Sequence, residues 1–405
     1  MKQFKHINKV ILVIMILGLS WLLPQIWHLI TDKATRYPFT YFSSVNHTFC
    51  TLEYEKEEFI RKDARGNTYT EEQWDSILPM FSFRQLATDG LLPDTLNGIA
   101  LNVKDIRKTN YYFRYKPNEF FSPSIPLYPL FESMSGRVDL EMPGDVFRVT
   151  KDGAEFINPK NNKINFTKSL KYSKSLLDKG FSGPAKWVAG SPTTCKSYDE
   201  GYFILDQNSR LFHFKRVNDK PFVKEIKIPE NIDPIFMKTT EYGDKRFYGF
   251  VISSDSKLYV ISCNKYKFIN IPIRFDYKND NIMLMANLFY WNMGITTDSG
   301  KVCYAINTND FSLVDTLKYH KEPNKMAEAS KYFLPFSLKF KSYKSNYIKP
   351  RFSAVPLKYM LVNLFFVILL VLLKPIRKQK PTPLAIIITL ITGIYGFTTI
   401  LLLKL

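Results

Sequence analysis

Three stretches of this chain are almost uninterrupted hydrocarbon, and the region between the first and second is patterned differently. Residues 10–30, 354–373 and 384–403 are dominated by Leu, Ile, Val and Phe. A helix crossing a bilayer needs about 20 such residues, so the pattern predicts three transmembrane α-helices. A charged loop, 374–380, joins the last two. The middle region instead carries short runs of Phe, Tyr, Val and Ile broken by Asp, Asn, Ser and Gly. Those runs suit half-buried strands, and the breaks suit tight turns. The expected fold is a mainly β exported domain tethered at both ends.

Within that domain one layout recurs over 145–345. A β-run, a polar turn, a second β-run, a looser turn and a third run appear four times, with turns at 151–153, 206–209, 254–256 and 298–300. In the first copy the third run is 164–170. The turns are spaced by about 44–55 residues, near the ~40–50 of propeller blades. β-propeller-like meander repeats follow as the expectation, with two stacked sheets as the alternative. A final strand over 337–344 is expected to close the ring. Residues 31–144 read as a hairpin across 63–66 followed by a small helical cap. Thr70 and Gln73 form a capping box, and Trp74, Ile77, Leu78 and Phe81 follow at helical spacing. Pro79 should split that helix, and Asp89 with Gly90 should end it.

Charge sets the expected orientation. The chain of 405 residues has 56 basic and 37 acidic residues, a net +19. Nine of the basic residues lie in the first 30 and last 50 positions, where no acid occurs, which leaves an excess of ten in the middle. Lys2, Lys5 and Lys9 should hold residues 1–9 in the cytoplasm, and loop 374–380 likewise. The large domain then faces the extracytoplasmic side of a bacterial inner membrane. Lys339, Lys341, Lys344, Lys349 and Arg351 lie on that outer side, where this basic-aromatic segment is placed to touch membrane lipid. A charged start and an apolar run also describe a signal peptide, but no small-residue cleavage site precedes Thr31. Basic residues are spread along the domain rather than gathered with stacking aromatics, so nucleic acid is not an expected partner.

Chemistry-bearing motifs are absent from the sequence. Cys50, Cys195, Cys263 and Cys303 show no metal-ligand spacing, and the five histidines are dispersed. No phosphate-cradling loop or complete nucleophile elbow occurs, and no cofactor is expected. One segment crowds hydrogen-bonding groups at a helix end: Arg84, Gln85, Asp89 and Asp94. With Arg137 further on, these are the candidate partner-binding residues, against a plain reading as a helix cap with a salt bridge. In the last apolar run Ala385, Thr389, Gly393 and Gly396 place small side chains at spacings that favour close helix packing.

Phe83-Arg84-Gln85-Leu86 with Leu92-Pro93-Asp94, followed by residues 135–143 (Ser-Gly-Arg-Val-Asp-Leu-Glu-Met-Pro), resembles an uncharacterised family of bacterial envelope membrane proteins. The likeness covers nearly the whole chain. It implies an anchored β domain encoded beside ABC transporter components, hence an accessory or assembly subunit contacting a membrane permease or ABC transporter subunit. It assigns no residue a role. An exported ligand sensor and a membrane-tethered hydrolase are the other function classes the sequence leaves open.

Overall fold

The computed structural model describes every residue except 1, 33–34, 56, 123, 138, 343, 374–380 and 404–405, and of 2–8 and 359–360 the backbone alone. The chain divides into two units, Tyr37–His320 and Met1–Arg36 with Lys321–Leu405.

Alternation becomes pleated sheet throughout the Tyr37–His320 unit, which is mainly β and built from small antiparallel sheets rather than one closed barrel. Four of these correspond to the sequence repeats, and each has one strand more than the repeat predicts. Tyr128–Pro129 precedes Val146–Thr150, Trp187–Gly190 precedes Tyr202–Leu205, Pro234–Thr239 precedes Phe247–Ser253, and Asn281–Ala286 precedes Tyr290–Thr297. The first three sheets are four-stranded meanders, and the fourth gains a fifth strand, Tyr111–Tyr115, beside Asn281–Ala286. A three-stranded sheet, Phe39–Phe42 with Phe49–Glu55 and Glu58–Asp63, stands outside the repeats.

Neighbouring sheets share cores. Phe147, Phe156, Tyr202, Phe212 and Phe214 join the first sheet to the second. Phe203, Leu211, Val251 and Tyr259 join the second to the third. Phe113, Phe250, Trp291 and Ile295 join the third to the fourth. Phe42 and Phe49 then meet Cys303 and Ala305, joining the fourth to the three-stranded sheet. This explains strands such as Tyr202–Leu205 that are apolar on both faces. Each is sandwiched, so alternation vanishes where burial is two-sided. Ring contacts tie the layers together, among them Phe113 stacked on Phe250 at 3.9 Å and Tyr111 on Tyr242 at 4.0 Å.

Several local expectations hold. Thr70 caps Glu71–Ile77 through a complete capping box with Gln73. Pro79 falls between that helix and the next, Phe83–Thr88, after which Gly90 turns the chain at φ +69°. The third run of the first repeat, 164–170, is corrected: only Lys163–Ile164 is strand, and Phe166–Leu177 is helix. Asn165 accepts from the Lys168 amide and starts it, and Tyr172 and Leu176, four apart, are its buried stripe. The β strands begin at Phe39, inside the expected 31–144 region, and the last meander strand ends at His320, inside the expected 145–345 region. The strand expected over 337–344 is Phe336–Lys339, paired with Arg351–Ala354 in a hairpin of the other unit. It closes no ring.

Among the described residues, one helix is long and apolar enough to cross a membrane: Lys9–Thr31, part of the longer Lys2–Thr31. A signal sequence fits the same description. The helix begins at Lys2, so residues 1–9 are mostly its first turns rather than a separate tail. The two further spans are corrected. Residues 354–373 hold the end of a strand, a 3-10 turn at Leu357–Leu361 and an eleven-residue helix, Val362–Leu372. Residues 384–403 are split at Gly393 into Pro383–Thr392 and Ile394–Leu403. Loop 374–380 lies outside the described residues.

Candidate functional site

The loops that join the first and second strands of successive sheets are knitted together at one end of the β unit. In the second sheet this loop runs from 191 to 201, and Lys196 lies at its centre. Its Nζ donates to the Ser191 carbonyl at 2.8 Å, to Asp199 Oδ1 at 2.5 Å and to Glu241 Oε1 at 2.9 Å, with Oε2 at 2.8 Å as an ionic contact. Glu241 belongs to the corresponding loop of the third sheet. Ser133, in the first sheet's loop, donates to Asp199 Oδ2 at 3.3 Å, and the Gly201 amide donates there at 2.9 Å. The Glu200 amide donates to Glu241 Oε1.

All three charged side chains are at most 5% exposed. An ammonium facing two carboxylates leaves an excess negative charge out of water. Burial accordingly pushes the Glu241 carboxyl above its ordinary range, and Lys196 works against that shift. Such a group braces loops. Removing one partner of a buried pair typically costs about 3–5 kcal/mol, because the remaining charge stays desolvated.

Next to this brace the third sheet's loop turns outward. Tyr198 Oη donates to the Tyr242 carbonyl at 2.9 Å, and Lys245 Nζ lies 4.5 Å from the Tyr198 ring. Arg246 donates from Nε to Asp244 Oδ2 at 2.9 Å and from Nη1 to the Thr308 carbonyl at 3.2 Å, reaching the fourth sheet. Its Nη2 is buried with no hydrogen-bond partner. Facing this turn is the helix Val103–Thr109, started by Asn102, which accepts from the Asp105 amide. Ile106 is fully buried and sets the helix orientation, which leaves Lys104, Arg107 and Lys108 exposed. A cleft of about 470 Å³ lies between these side chains and Gly243, and one of about 380 Å³ adjoins it beside Asp244 and Arg246. Five basic groups against Asp105 and Asp244 make the rim positive, which favours an acidic partner surface.

His213 is bonded to the 191–201 loop, through the Glu200 carbonyl, and lies between the second and third sheets. It is fully buried, stacked on Phe203 at 4.4 Å and ringed by Phe222, Tyr248 and Tyr266. Nε2 is 2.6 Å from the Glu200 carbonyl and must donate to it, so Nδ1, 2.8 Å from Tyr266 Oη, accepts. Burial holds the imidazole neutral, its pKa lowered to about 3. Burial likewise raises the Cys50 and Cys263 thiols to about 12, and all four cysteines are free.

The residues singled out from sequence lie elsewhere. Arg84 and Gln85 are exposed on one short helix and Asp89 is exposed at its end, with Gln85 Nε2 donating to Asp89 Oδ2 at 2.8 Å. Asp94 is exposed in the following loop. Arg137 pairs with Glu141 at 2.9 Å on a separate surface loop. In the other unit Ala385 and Thr389 are buried, Gly393 is the helix break, and Gly396 lies in the next helix. The Lys196 brace escaped sequence reading because its members come from loops far apart in the chain, with Lys196 three residues before Asp199 as its local hint. The basic rim had a local signal, Lys104, Arg107 and Lys108 on one short helix, but the turn it faces lies more than 130 residues on.

The structure thus defines a mainly β unit, with cross-braced loops at one end and a basic rim, joined in one chain to an apolar helical unit. The domain of unknown function DUF4857 matches residues 39–306, and the chain belongs to that family. Among curated proteins no match is found. One similar solved structure is PorZ, an essential bacterial surface component of the type-IX secretion system of Porphyromonas gingivalis. The identity is 9% over 82% of this chain and 34% of that one, with a TM-score of 0.24. This chain therefore spans about a third of its length. Another is the dihydro-heme d1 dehydrogenase NirN in complex with DHE, at 11% identity over 63% of this chain and 68% of that one, with a TM-score of 0.22.

Proposed function

We propose that this chain is a non-catalytic, membrane-anchored accessory or assembly subunit of an envelope transport system. Its β unit is held on the extracytoplasmic side of a bacterial cytoplasmic membrane, where it contacts a permease or ABC transporter subunit. In this reading the meanders are arranged like propeller blades. The support is their four-stranded build and the cores each shares with the next, the pattern by which radial stacking protects sheet edges.

The observation that carries the reading is the cross-bracing of loops between neighbouring sheets. Lys196, Asp199 and Glu241 tie together the equivalent loops of the first three sheets, and Arg246 ties the third to the 308–312 loop of the fourth. A rigid end presenting a positive rim suits docking, since little conformational entropy is lost on binding. A glycoside hydrolase needs paired carboxylates that reach an open cavity, whereas Asp199 and Glu241 are sealed around a lysine.

The test is affinity purification of the tagged full-length chain in mild detergent, beside a variant carrying Lys104→Glu, Arg107→Glu and Lys108→Glu. A polytopic transporter subunit should co-purify with the parent and be lost from the variant, with both showing the same melting temperature. Recovery of no transporter component, or equal recovery by both, overturns the proposal.

A further inference from the structure

Lys196, Asp199 and Glu241 bury an uneven charge, two carboxylates around one ammonium, with none of the three side chains more than 5% exposed. Charge held out of water is costly, and the chain has two ways to lose it. Glu241 can keep a proton, and burial does push its carboxyl above the ordinary range. The charges on Lys196 and Asp199 can disappear together in an amide bond, and the geometry allows it. Nζ lies 2.5 Å from Asp199 Oδ1, so it is no more than about 3.7 Å from Cγ, one C–O bond further. Reacting atoms in near-attack conformers are about 3–3.5 Å apart.

The surroundings match what that bond needs. Asp199 Oδ2 accepts from the Gly201 amide at 2.9 Å and from Ser133 Oγ at 3.3 Å. Both donors are placed to hold negative charge that develops on this oxygen. Glu241 touches the same nitrogen, with Oε1 at 2.9 Å and Oε2 at 2.8 Å. The Glu200 amide holds Oε1, whereas Oε2 is buried with no hydrogen-bond partner and is the oxygen free to carry a proton. The buried Phe131 ring lies 5.1 Å from Nζ and helps to close the group to water.

We propose that Lys196 and Asp199 join in an intramolecular isopeptide bond, formed by the folded chain itself with Glu241 as the proton carrier. The ammonium passes one proton to Oδ1 across their contact, and the resulting amine adds to Cγ while Oδ2 takes the negative charge. Glu241 gives its proton to Oδ1 and takes one from the nitrogen, so it ends as it began. Oδ1 leaves as water, and the carbonyl re-forms at Oδ2 with the Gly201 and Ser133 donors still in place. One C–N bond replaces one C–O bond, no oxidant or reductant is needed, and both charges are gone. The bond closes loop 191–201 on itself and turns an ionic brace into a covalent one. It is a single self-modification, independent of which partner the β unit docks.

Mass spectrometry of the full-length chain, purified in detergent, reads the bond directly. The intact chain should weigh less than its sequence by one water. Trypsin should leave Lys196 uncut and yield Trp187–Arg210 as one peptide, short of one water, with no fragment ions from breaks between 196 and 199. Lys196→Arg should restore both the full mass and the cut. Glu241→Gln, shown to be folded by near-ultraviolet circular dichroism, should form the bond at least about 100-fold more slowly. If that variant does not fold, the parent's mass and its Lys196 cut decide alone. A parent of full mass that is cut at Lys196 overturns the proposal. So does a lost water with Lys196 still cut, the mark of a succinimide at Asp199. Equal bond formation in folded Glu241→Gln overturns the proton-carrying role.

Discussion

At the scale of single residues, His213 is the side chain whose environment is most sharply at odds with its ordinary chemistry. One ring nitrogen donates to a carbonyl and the other accepts from Tyr266, so a second proton would strip Tyr266 of its acceptor and bury a charge among aromatics. The native imidazole therefore stays neutral down to about pH 3, while in the unfolded chain it protonates near its usual 6.5. Below pH 6.5 the unfolded state binds the extra proton, so stability falls as pH falls between these values. The loss reaches about 2 kcal/mol at pH 5. Denaturant unfolding of the parent and of His213→Gln at pH 7.5 and pH 5 checks this. The variant is expected to be less stable at pH 7.5 but to lose about 2 kcal/mol less on acidification. An equal loss in both refutes the assignment.

Among the elements, the break in the last apolar segment is the one whose chemistry is clearest. Gly393 has φ +56° and ψ −128°, a conformation open to glycine and strained for other residues. The kink deprives the Leu390 carbonyl of its helical partner, and Asn363 Nδ2 donates to it at 2.9 Å from the neighbouring helix. A methyl at Gly393 would lie 2.3 Å from Asn363 Oδ1. Gly393→Ala should thus lower stability by about 1–3 kcal/mol, read as a fall in melting temperature in detergent. Asn363→Ala removes the clash but leaves the strain, so the double variant should lose less than the sum of the singles. Strict additivity contradicts the contact. From sequence, Gly393 looks like a packing residue in an unbroken span, because composition alone cannot distinguish a small residue that admits a neighbour from one that bends the chain. Legibility follows the same rule elsewhere. The Thr70–Gln73 box and Pro79 act on adjacent residues and are readable. The first strand of each meander, such as Trp187–Gly190 or Pro234–Thr239, is held by partners 10 to 19 residues away, across a loop rather than a tight turn, and is not. Residues 164–170 misled because Phe166 and Leu170, both exposed, mimic strand alternation while the buried positions lie further along the helix.

For the molecule as a whole, the division at residues 36 and 320 separates two ways of burying apolar surface. The cores that join the sheets are each assembled from residues of 37–320: Tyr111 to Phe311 in the largest, Leu130 to Phe214 and Ala189 to Ile261 in the next two. The smaller clusters around Trp74, Phe42 and Met80 also lie within those bounds. The apolar helices form their own clusters, around Leu370 and Tyr395. A unit whose cores are complete has the burial it needs to fold without the remainder of the chain. Expressed as residues 37–320, the β unit should be soluble, keep a β-type circular dichroism spectrum with a near-ultraviolet signal from its packed rings, and melt in one cooperative transition. Its loop brace should survive too, since Lys196, Asp199 and Glu241 all lie within it. A fragment that binds hydrophobic dyes and lacks near-ultraviolet structure would show that its sheets depend on the helical unit for their packing. A folded fragment that no longer captures the full-length chain's partner would instead locate part of the docking surface in the helices, where the exposed Leu384, Ile387 and Ile391 would be the first positions to probe.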